Sequence, residues 1–258
     1  MSIQYDALAT SYDLVWQVPA VRPLLPLLTA TIKAECLTNE GSVLDLACGT
    51  GIGLRILKSL GASRLVGVDI SPQMLEIAKA TVPGITTHVA DCSKPLDHLG
   101  LEPASFDVVL GFWLLNYCPS STEMDGMWAN ITRYLKPGGK FVGIIENHDV
   151  ALPVSVETPK YGGTMSEVKE LDNGQGWSVH VAFETDPRIE FDAFRLKRDV
   201  LEKSATIAGF GAIEYREPTW ENIEQAISDG IDQEDKAWWT ELIDIPPNYV
   251  IVSQKTTG

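Results

Sequence analysis

Residues 43–53 read VLDLACGTGIG, an apolar run that passes into alternating glycines. An apolar run followed by glycines and then by helical spacing is typical of a buried strand, a glycine loop and a helix. Such a loop binds a ligand where the backbone approaches closely and the free N–H groups of the helix point outward. Asp45 is the unusual residue, because it places a carboxylate inside the strand, four residues before the first glycine of the loop.

The segments that follow continue the alternation of strands and helices. Ser71 and Pro72 open one helix as its N-cap and first residue, and Pro137-Gly138-Gly139 is expected to end another. Five strands that alternate with helices predict a doubly wound, mostly parallel, Rossmann-like α/β sheet. Two more strand-like segments lie near the end of the chain. Residues 20–37 are expected to form a covering helix, broken early by its prolines.

Three ligand classes compete for the glycine loop. A phosphate-binding P-loop requires G-x-x-x-x-G-K-[ST], and no Gly-Lys pair follows here. A dinucleotide fingerprint requires G-x-G-x-x-G, but the sixth position from Gly49 is Leu54, and Asp45 would repel a diphosphate. S-adenosylmethionine has no phosphate, has a positive end that Asp45 can support, and has a carboxylate that loop N–H groups can bind. The loop therefore favours S-adenosylmethionine.

The ends of the second and third strands carry further acidic residues. Asp69 lies 20 residues after the first glycine of the loop, near the offset at which an acid binds ribose hydroxyls. Ile70 and Met74 are placed to flank the adenine, and Asp91 and Cys92 to meet its amino group and ring edge. The competing interpretation is that each acid caps the turn that follows it. Three acids in sheet order favour the cofactor.

These segments resemble the class I S-adenosylmethionine-dependent methyltransferases. The resemblance is carried by VLDLACGTGIG, LVGVDIS, VADCS, FDVVLGFWLLNYC and LKPGGKFVG, roughly over residues 40–147. It implies a seven-stranded sheet, S-adenosyl-L-methionine as cofactor and methyl transfer as the activity. The N-terminal YDALATSYD resembles a motif of small-molecule members whose tyrosines close over the cofactor. A finer likeness to toxoflavin-type N-methyltransferases implies a role in secondary metabolism.

The residues expected to contact the cofactor lie at strand ends, in the glycine loop or in the N-terminal motif. They are Tyr5, Tyr12, Asp45, Ala47, Gly49, Gly51, Asp69, Ile70, Met74, Asp91, Cys92, Gly111 and Phe112. By the resemblance, Asp45 and the loop glycines hold the methionine end, Asp69 the ribose, and Asp91 with Cys92 the adenine.

The catalytic residues are expected after strands four and five. A methyl donor on sulfur requires chiefly alignment and exclusion of water, so a general base is needed only if the acceptor keeps its proton. Asn116 follows strand four, and the sequence ENHD after strand five offers Glu146, Asn147 and His148. His148 is favoured because the pKa of a histidine can straddle neutrality, and its competing interpretation is a surface residue that opens a loop. His180 is the second choice.

Residues 148–197 lose the alternation of strands and helices and contain strand-like pieces separated by turns such as LDNGQG. They predict a β-rich cap insertion after strand five that selects the acceptor, with Tyr161, Trp177, His180 and Phe183 as its wall. One domain is expected over residues 1–258. Its parts are an N-terminal covering segment (1–39), a cofactor-binding core (40–147), the cap (148–197) and the end of the sheet (198–258).

Composition narrows the partners. The chain has 258 residues and a formal charge of −15, which disfavours nucleic acid and anionic membranes. Its four cysteines show no metal-ligand spacing and indicate free thiols, so no metal is expected. With neither a signal peptide nor a run of about 18 apolar residues, a soluble cytoplasmic protein is expected.

The leading hypothesis is methyl transfer to O, N or S of a small organic metabolite by a monomer or homodimer. A cofactor-binding protein or a non-methylating enzyme on the same fold is one alternative, because methyl transfer needs no diagnostic residue. An NAD(P)-dependent oxidoreductase is another, although the glycine spacing and Asp45 argue against it.

Overall fold

The glycine-loop stretch lies at the centre of a seven-stranded sheet. The structure, a computed structural model, describes residues 2–35, 41–150, 152, 160–231 and 235–257. The strands of this sheet are β1 (Ser42–Leu46), β2 (Arg64–Asp69), β3 (Thr86–Val89), β4 (Phe106–Phe112), β5 (Leu135–Glu146), β9 (Glu214–Arg216) and β10 (Asn248–Gln254). Their order is β3-β2-β1-β4-β5-β10-β9, with β10 antiparallel to both neighbours and the first five strands parallel. The predicted doubly wound sheet is confirmed.

Helices cover both faces of this sheet. They are α1 (Ser2–Leu8), α2 (Leu24–Glu35), α3 (Ile52–Ser59), α4 (Pro72–Thr81), α5 (Ser121–Tyr134), α6 (Arg198–Ile207), α7 (Trp220–Ser228) and α8 (Lys236–Asp244). Alternate strand residues enter opposite cores, because successive side chains point to opposite faces of a strand. Val108 and Leu110 pack in one core with α2 and α3, whereas Val109 packs in the other with α5 and α6.

Two proline predictions need correction. Helix α5 ends at Tyr134, before Pro137-Gly138-Gly139, and these residues instead lie in β5, where the pairing with β4 shifts register. Pro26 does not break α2, because it lies in the first turn, where the missing N–H would have no partner inside the helix. Ser71 caps α4 as predicted, its Oγ accepting from the Met74 N–H at 3.2 Å.

The segment after β5 forms a separate three-stranded antiparallel sheet. Its strands are β6 (Gly163–Glu170), β7 (Gly176–Phe183) and β8 (Ile189–Leu196), in that order. One face of this cap sheet joins the first core through Val181, Phe191 and Ala193, together with Tyr5 and Trp16 of the N-terminal segment. The predicted β-rich cap after strand five is therefore confirmed. None of the helices that the structure describes has the length and apolar character needed to cross a membrane.

Candidate active site

The glycine loop begins where β1 ends. Gly49 (φ 52°) and Gly51 (φ 87°) adopt left-handed backbone conformations that favour glycine. A Cβ on Gly51 would lie 3.2 Å from Ala78 Cβ, so this glycine allows α3 to pack closely against α4. Gly49 has no atom within 4 Å of such a Cβ and faces open space.

Asp69 fixes this loop to the end of β2. Its Oδ2 accepts from the Gly49 N–H at 2.8 Å, and its Oδ1 accepts from the Ser71 N–H at 2.9 Å. Burial raises the pKa of Asp69, while these backbone bonds lower it. Each carboxylate oxygen retains a further lone pair, so Asp69 can position the loop and still accept from a ligand hydroxyl.

Asp45 is a buried carboxyl that lacks a complete set of partners. Its residue is 1% exposed, and its Oδ1 has no hydrogen-bond partner within the part of the chain described. Burial raises the pKa of Asp45 well above its usual range, and the charge of Asp69 adds to this effect. An unpaired buried carboxyl requires an explanation, since native proteins pair nearly all such groups. A cationic ligand fits, because it would supply the missing partner and stabilise the ionised form.

An open cavity, about 910 Å³ with the open solvent that it includes, lies between the loop and the ends of β2, β3 and β4; we call it the cofactor cavity. It is lined by Tyr5, Tyr12, Trp16, Asp45, Ala47, Cys48, Gly49, Thr50, Ile52, Asp69, Ile70, Met74, Ala90, Asp91, Cys92, Phe112, Trp113, Leu114, Tyr117 and Met127. Eleven of the thirteen residues expected at the cofactor are thus brought together around one cavity.

Gly51 and Gly111 are the two that do not line it. Gly51 faces α4, and a Cβ on Gly111 would lie 2.9 Å from the Phe141 ring inside the sheet. The sequence shows that both residues are small but not which neighbour requires this. Trp16 is not expected from the sequence, but it lies three residues after the YDALATSYD motif, and this proximity is the signal that could have identified it.

The two N-terminal tyrosines, Tyr5 and Tyr12, line this cavity beside Tyr117. The Tyr5 hydroxyl donates to the Tyr117 hydroxyl. The Tyr5 ring packs edge-on against the rings of Tyr12 and Tyr117, with centroid distances of 6.0 and 5.5 Å. Burial raises the pKa of all three tyrosines, so they stay protonated and uncharged near neutrality. Thr50 Oγ1 donates to Asp13, which joins the same segment to the glycine loop.

A second open cavity, about 760 Å³ with the open solvent that it includes, lies between the cap sheet and the carboxyl ends of β4 and β5; we call it the acceptor cavity. It is lined by Tyr12, Val15, Ala20, Trp113, Asn116, Tyr117, Glu146, Asn147, Val150, Gly163, Thr164, Met165, Val181, Phe183, Phe191, Ala193, Arg195, Pro247 and Asn248. Tyr12, Trp113 and Tyr117 line both cavities, so the two spaces adjoin.

Trp113 forms part of the boundary between the cavities in a strained conformation. Its φ is 54°, in the left-handed region that a bulky residue rarely adopts. Its Nε1 donates to Asn248 Oδ1 at 3.0 Å, and its ring packs 5.2 Å from that of Trp16. Strain of this kind concentrates at ligand sites, where the surrounding structure holds it in place.

Most residues that line the acceptor cavity are apolar or aromatic, and its buried polar residues are Asn116, Glu146, Asn147, Arg195 and Asn248. Burial raises the pKa of Glu146 to about 7, and the positive charge of Arg195 partly opposes this shift. A carboxyl with this pKa can both accept and return a proton near neutrality. The sequence offers Glu146 as a candidate but favours His148 as the base, because burial of the carboxyl is not visible in the sequence.

The structure does not bring the two predicted catalytic histidines into either cavity. His148 lies beside Arg195 and Arg198, and burial lowers its pKa to about 4, so it is uncharged at neutral pH. His180 lies on the face of β7 opposite to Val181, and its Nδ1 is 3.0 Å from Asp192 Oδ1. Asn116, in contrast, does line the acceptor cavity.

The cap contributes Phe183 to the acceptor cavity, as expected, but not Tyr161 or Trp177. The Tyr161 hydroxyl donates to the Trp238 carbonyl at 2.7 Å and belongs to an aromatic cluster with α8. Arg195 was missed, although alternation along β8 gives the signal: Phe191, Ala193 and Arg195 share a face.

Residues 43–139 match the family described as the methyltransferase domain. The sterol 4-C-methyltransferase strm-1 of Caenorhabditis elegans is 36% identical over 112 residues, which cover 41% of this chain and 31% of the relative. The ubiquinone/menaquinone biosynthesis C-methyltransferase UbiE of Geobacter sp. (strain M21) is 29% identical over 202 residues, covering 71% of this chain and 76% of the relative.

Among solved structures, an S-adenosylmethionine-dependent methyltransferase from Mesorhizobium loti superposes with a TM-score of 0.60 at 22% identity. The match covers 89% of this chain and 96% of that one. A likeness at this identity shows the fold.

Proposed function

The chain belongs to the class I S-adenosylmethionine-dependent methyltransferases, and on that premise we propose that it methylates O, N or S of a small organic metabolite held in the acceptor cavity. The methyltransferase-domain match over residues 43–139 supports the predicted family and cofactor, whereas the acceptor class is our proposal. A place in secondary metabolism is part of the proposal and rests on the sequence resemblance.

The observation that carries this proposal is the pair of adjoining cavities at the carboxyl edge of the sheet. Ligands of open α/β sheets bind at this edge, and a transferase needs two sites that meet where the group is exchanged. The boundary residues Tyr12, Trp113 and Tyr117 touch both spaces, so a bound acceptor would face a bound cofactor there. The cap sheet closes the acceptor side, which suits a small molecule better than a polymer.

S-adenosylmethionine, when bound, supplies a methyl group on a positively charged sulfur. In this chain the unpaired Asp45 Oδ1 offers the negative partner for the cofactor's positive end, and the Gly49 region offers backbone that a ligand can approach. Asp69 and Asp91 line the cavity where the ribose and adenine are assigned. The aromatic residues at the boundary exclude water and align the acceptor. The proposal thus gives residues 40–147 to the cofactor and 148–197 to the choice of acceptor.

Transfer to carbon is a second candidate function. The names of both curated relatives above specify C-methyltransferases, and a carbon nucleophile also requires removal of a proton. The acceptor cavity with its buried Glu146 can serve this reaction as well. Identification of the methylated atom in the product distinguishes the two candidates.

The test combines binding with product discovery. Calorimetry is expected to show S-adenosylmethionine and its demethylated product binding with micromolar Kd, about −8 kcal/mol. Incubation with methyl-labelled cofactor and a metabolite extract should then yield a labelled small molecule heavier by one CH₂. Absence of binding by folded protein contradicts the cofactor assignment. Binding without any labelled product favours the cofactor-binding or non-methylating alternative.

A further inference from the structure

Three buried polar side chains that line the acceptor cavity carry atoms without partners. Asn116, Glu146 and Arg195 are each 4% exposed. Within the described ranges, Asn116 Oδ1, Glu146 Oε2 and Arg195 Nε form no hydrogen bond. Leaving one such group unpaired costs about 1–3 kcal/mol, so three in one cavity indicate a site built for a polar ligand group.

The chemistry of these atoms defines what they can bind. Asn116 Oδ1 and an ionised Glu146 accept hydrogen bonds, whereas Arg195 Nε donates one. Arg195 is held in place from the other side of its guanidinium, where Nη2 donates to the Val150 carbonyl at 2.6 Å. A ligand that satisfies all three needs a hydrogen-bearing group and an oxygen acceptor close together.

The rest of the cavity specifies the body of that ligand. Its walls are apolar and include Val15, Met165, Val181, Phe183 and Phe191. Apolar walls that include aromatic rings suit an apolar, flat molecule. They disfavour a charged ligand, because the charge would lose its water on entering the cavity. Asn248 accepts from Trp113 Nε1 and Asn116 directly precedes Tyr117, so these polar residues adjoin the boundary with the cofactor cavity.

We propose that Glu146 removes the proton from the methyl acceptor. This acceptor is an uncharged planar molecule with an O–H or N–H next to a carbonyl oxygen. Arg195 binds that oxygen, and Asn116 accepts a hydrogen bond from the neighbouring hydrogen donor. This inference rests on the proposed function. It makes Glu146 the general base and names the substrate class. The O–H or N–H proton passes to Glu146 Oε2, the freed lone pair forms the bond to the methyl carbon, and the electron pair of the broken carbon–sulfur bond remains on sulfur. The proton then leaves Glu146 for solvent.

The groups around Glu146 determine the direction of the pH dependence. Arg195 faces Glu146 from β8, and Tyr117 faces it from the turn after β4. The uncharged Asn248, on β10, pairs with Glu146 in the sheet. Tyr117 stays protonated because burial raises its pKa, and Arg195 alone of the two carries a charge. Glu146 accepts a proton in its ionised form, so kcat should rise with pH to a plateau above about 7.

The experiment compares E146Q, which keeps the size of the side chain but cannot take a proton, with the control E170Q at an exposed position of the cap. The probes are 2′-hydroxyacetophenone, 1-hydroxy-2-acetonaphthone and 2-quinolone, with acetophenone and naphthalene as analogues without the O–H or N–H. Binding is measured by calorimetry in the presence of the demethylated cofactor, and methylation by mass spectrometry. Cofactor binding and thermal unfolding are measured for each variant.

We expect at least one hydroxyl- or N–H-bearing probe to bind more tightly than its analogue and to be methylated. In E146Q, kcat should fall by roughly 100-fold or more and lose the pH-dependent rise, while E170Q retains both. Full activity and an unchanged pH profile in E146Q overturn the assignment of the base. Cofactor binding with no binding or methylation of any probe overturns the substrate class. Failure of the wild-type protein to bind the cofactor instead contradicts the proposed function.

Discussion

The cofactor cavity and the acceptor cavity adjoin, but the chain builds them in different ways. The cofactor cavity takes most of its lining from segments that follow consecutive parallel strands, near residues 47–52, 69–74, 90–92 and 112–117. The acceptor cavity combines the N-terminal segment, the ends of β4 and β5, all three cap strands and residues 247–248. The first is therefore encoded in short local patterns, whereas the second exists only once distant segments have packed together.

The two cavities also differ in charge. The cofactor cavity contains Asp45 and Asp69, two buried carboxyls that suit a positively charged ligand. The acceptor cavity combines one carboxyl, Glu146, with one guanidinium, Arg195, so its charges can balance. This difference predicts that cofactor and acceptor binding can be disrupted separately.

Filling the acceptor cavity is the strongest test of that separation. Ala193 lies on the cap face that lines the acceptor cavity and does not line the cofactor cavity. In A193W, turnover of the acceptor found by labelling should fall by at least about 100-fold, or 2.7 kcal/mol in activation free energy, because the indole occupies its space. Cofactor Kd, measured by calorimetry, should change less than about threefold.

The control D192W places the same indole at Asp192, which is exposed on the opposite face of β8. It should retain turnover close to that of the unmodified protein. Folded A193W with full turnover would show that the acceptor binds elsewhere, and an equal loss of cofactor binding would show that the cavities act as one.

The buried carboxyl of the acceptor cavity should affect stability with a definite sign. The pKa of Glu146 is about 7 in the folded protein against 4.5 when unfolded. As pH rises through 4.5, the unfolded chain loses this proton first, so the folded state loses stability up to about pH 7. E146Q removes this effect, so its free energy of unfolding should exceed that of the unmodified protein by about 3 kcal/mol at pH 8, with little difference at pH 4.

Denaturant unfolding at several pH values measures that difference, and E170Q provides the comparison. A gap that is the same at pH 4 and pH 8 would mean that the carboxyl already ionises in its ordinary range, which removes the physical basis for a base that works near neutrality.

The charge of the cofactor cavity gives the next effect. A cation favours the ionised form of Asp45, whose pKa burial raises, so cofactor binding should release a proton and strengthen as pH rises. In D45N this pH dependence should disappear, and affinity should fall by roughly 1–3 kcal/mol, or about 5- to 150-fold. Calorimetry in buffers of different ionisation enthalpy counts the proton, with D172N in an exposed turn as control. An unaltered Kd in D45N would show that the cation lies elsewhere.

The contrast between the cavities also explains what the sequence could predict. The glycine loop, Asp69 and Asp91 follow strands in a fixed order, and the carboxyl ends of parallel strands meet at one edge, so their convergence was predictable. Gly51 and Gly111 are expected from the sequence to bring their backbone to the cofactor, but neither lines the cofactor cavity, and a Cβ on either would meet a neighbouring side chain. Only tertiary structure shows which neighbour a glycine serves.

The acceptor cavity was harder to predict because its chemistry depends on burial. An ordinary glutamate is ionised far below neutrality, and so a histidine was the more plausible base from the sequence. Burial reverses this order, raising the pKa of Glu146 to about 7 and lowering that of His148 to about 4. The guanidinium of Arg195, nearly 50 residues away along the chain, completes the site.

The smallest effect on kcat is expected for a substitution of His148, which lies outside the acceptor cavity. His148 follows Glu146 by two residues but lines neither cavity, and with a pKa of about 4 it is uncharged at neutral pH. H148N therefore leaves the charge near Arg195 unchanged, and kcat should stay within about twofold, a change below 0.5 kcal/mol in activation free energy. Steady-state kinetics between pH 5 and 9 should show the same rise near pH 7 as in the unmodified protein. If H148N loses that rise while E146Q keeps it, the histidine is the base, and Glu146 only binds the acceptor.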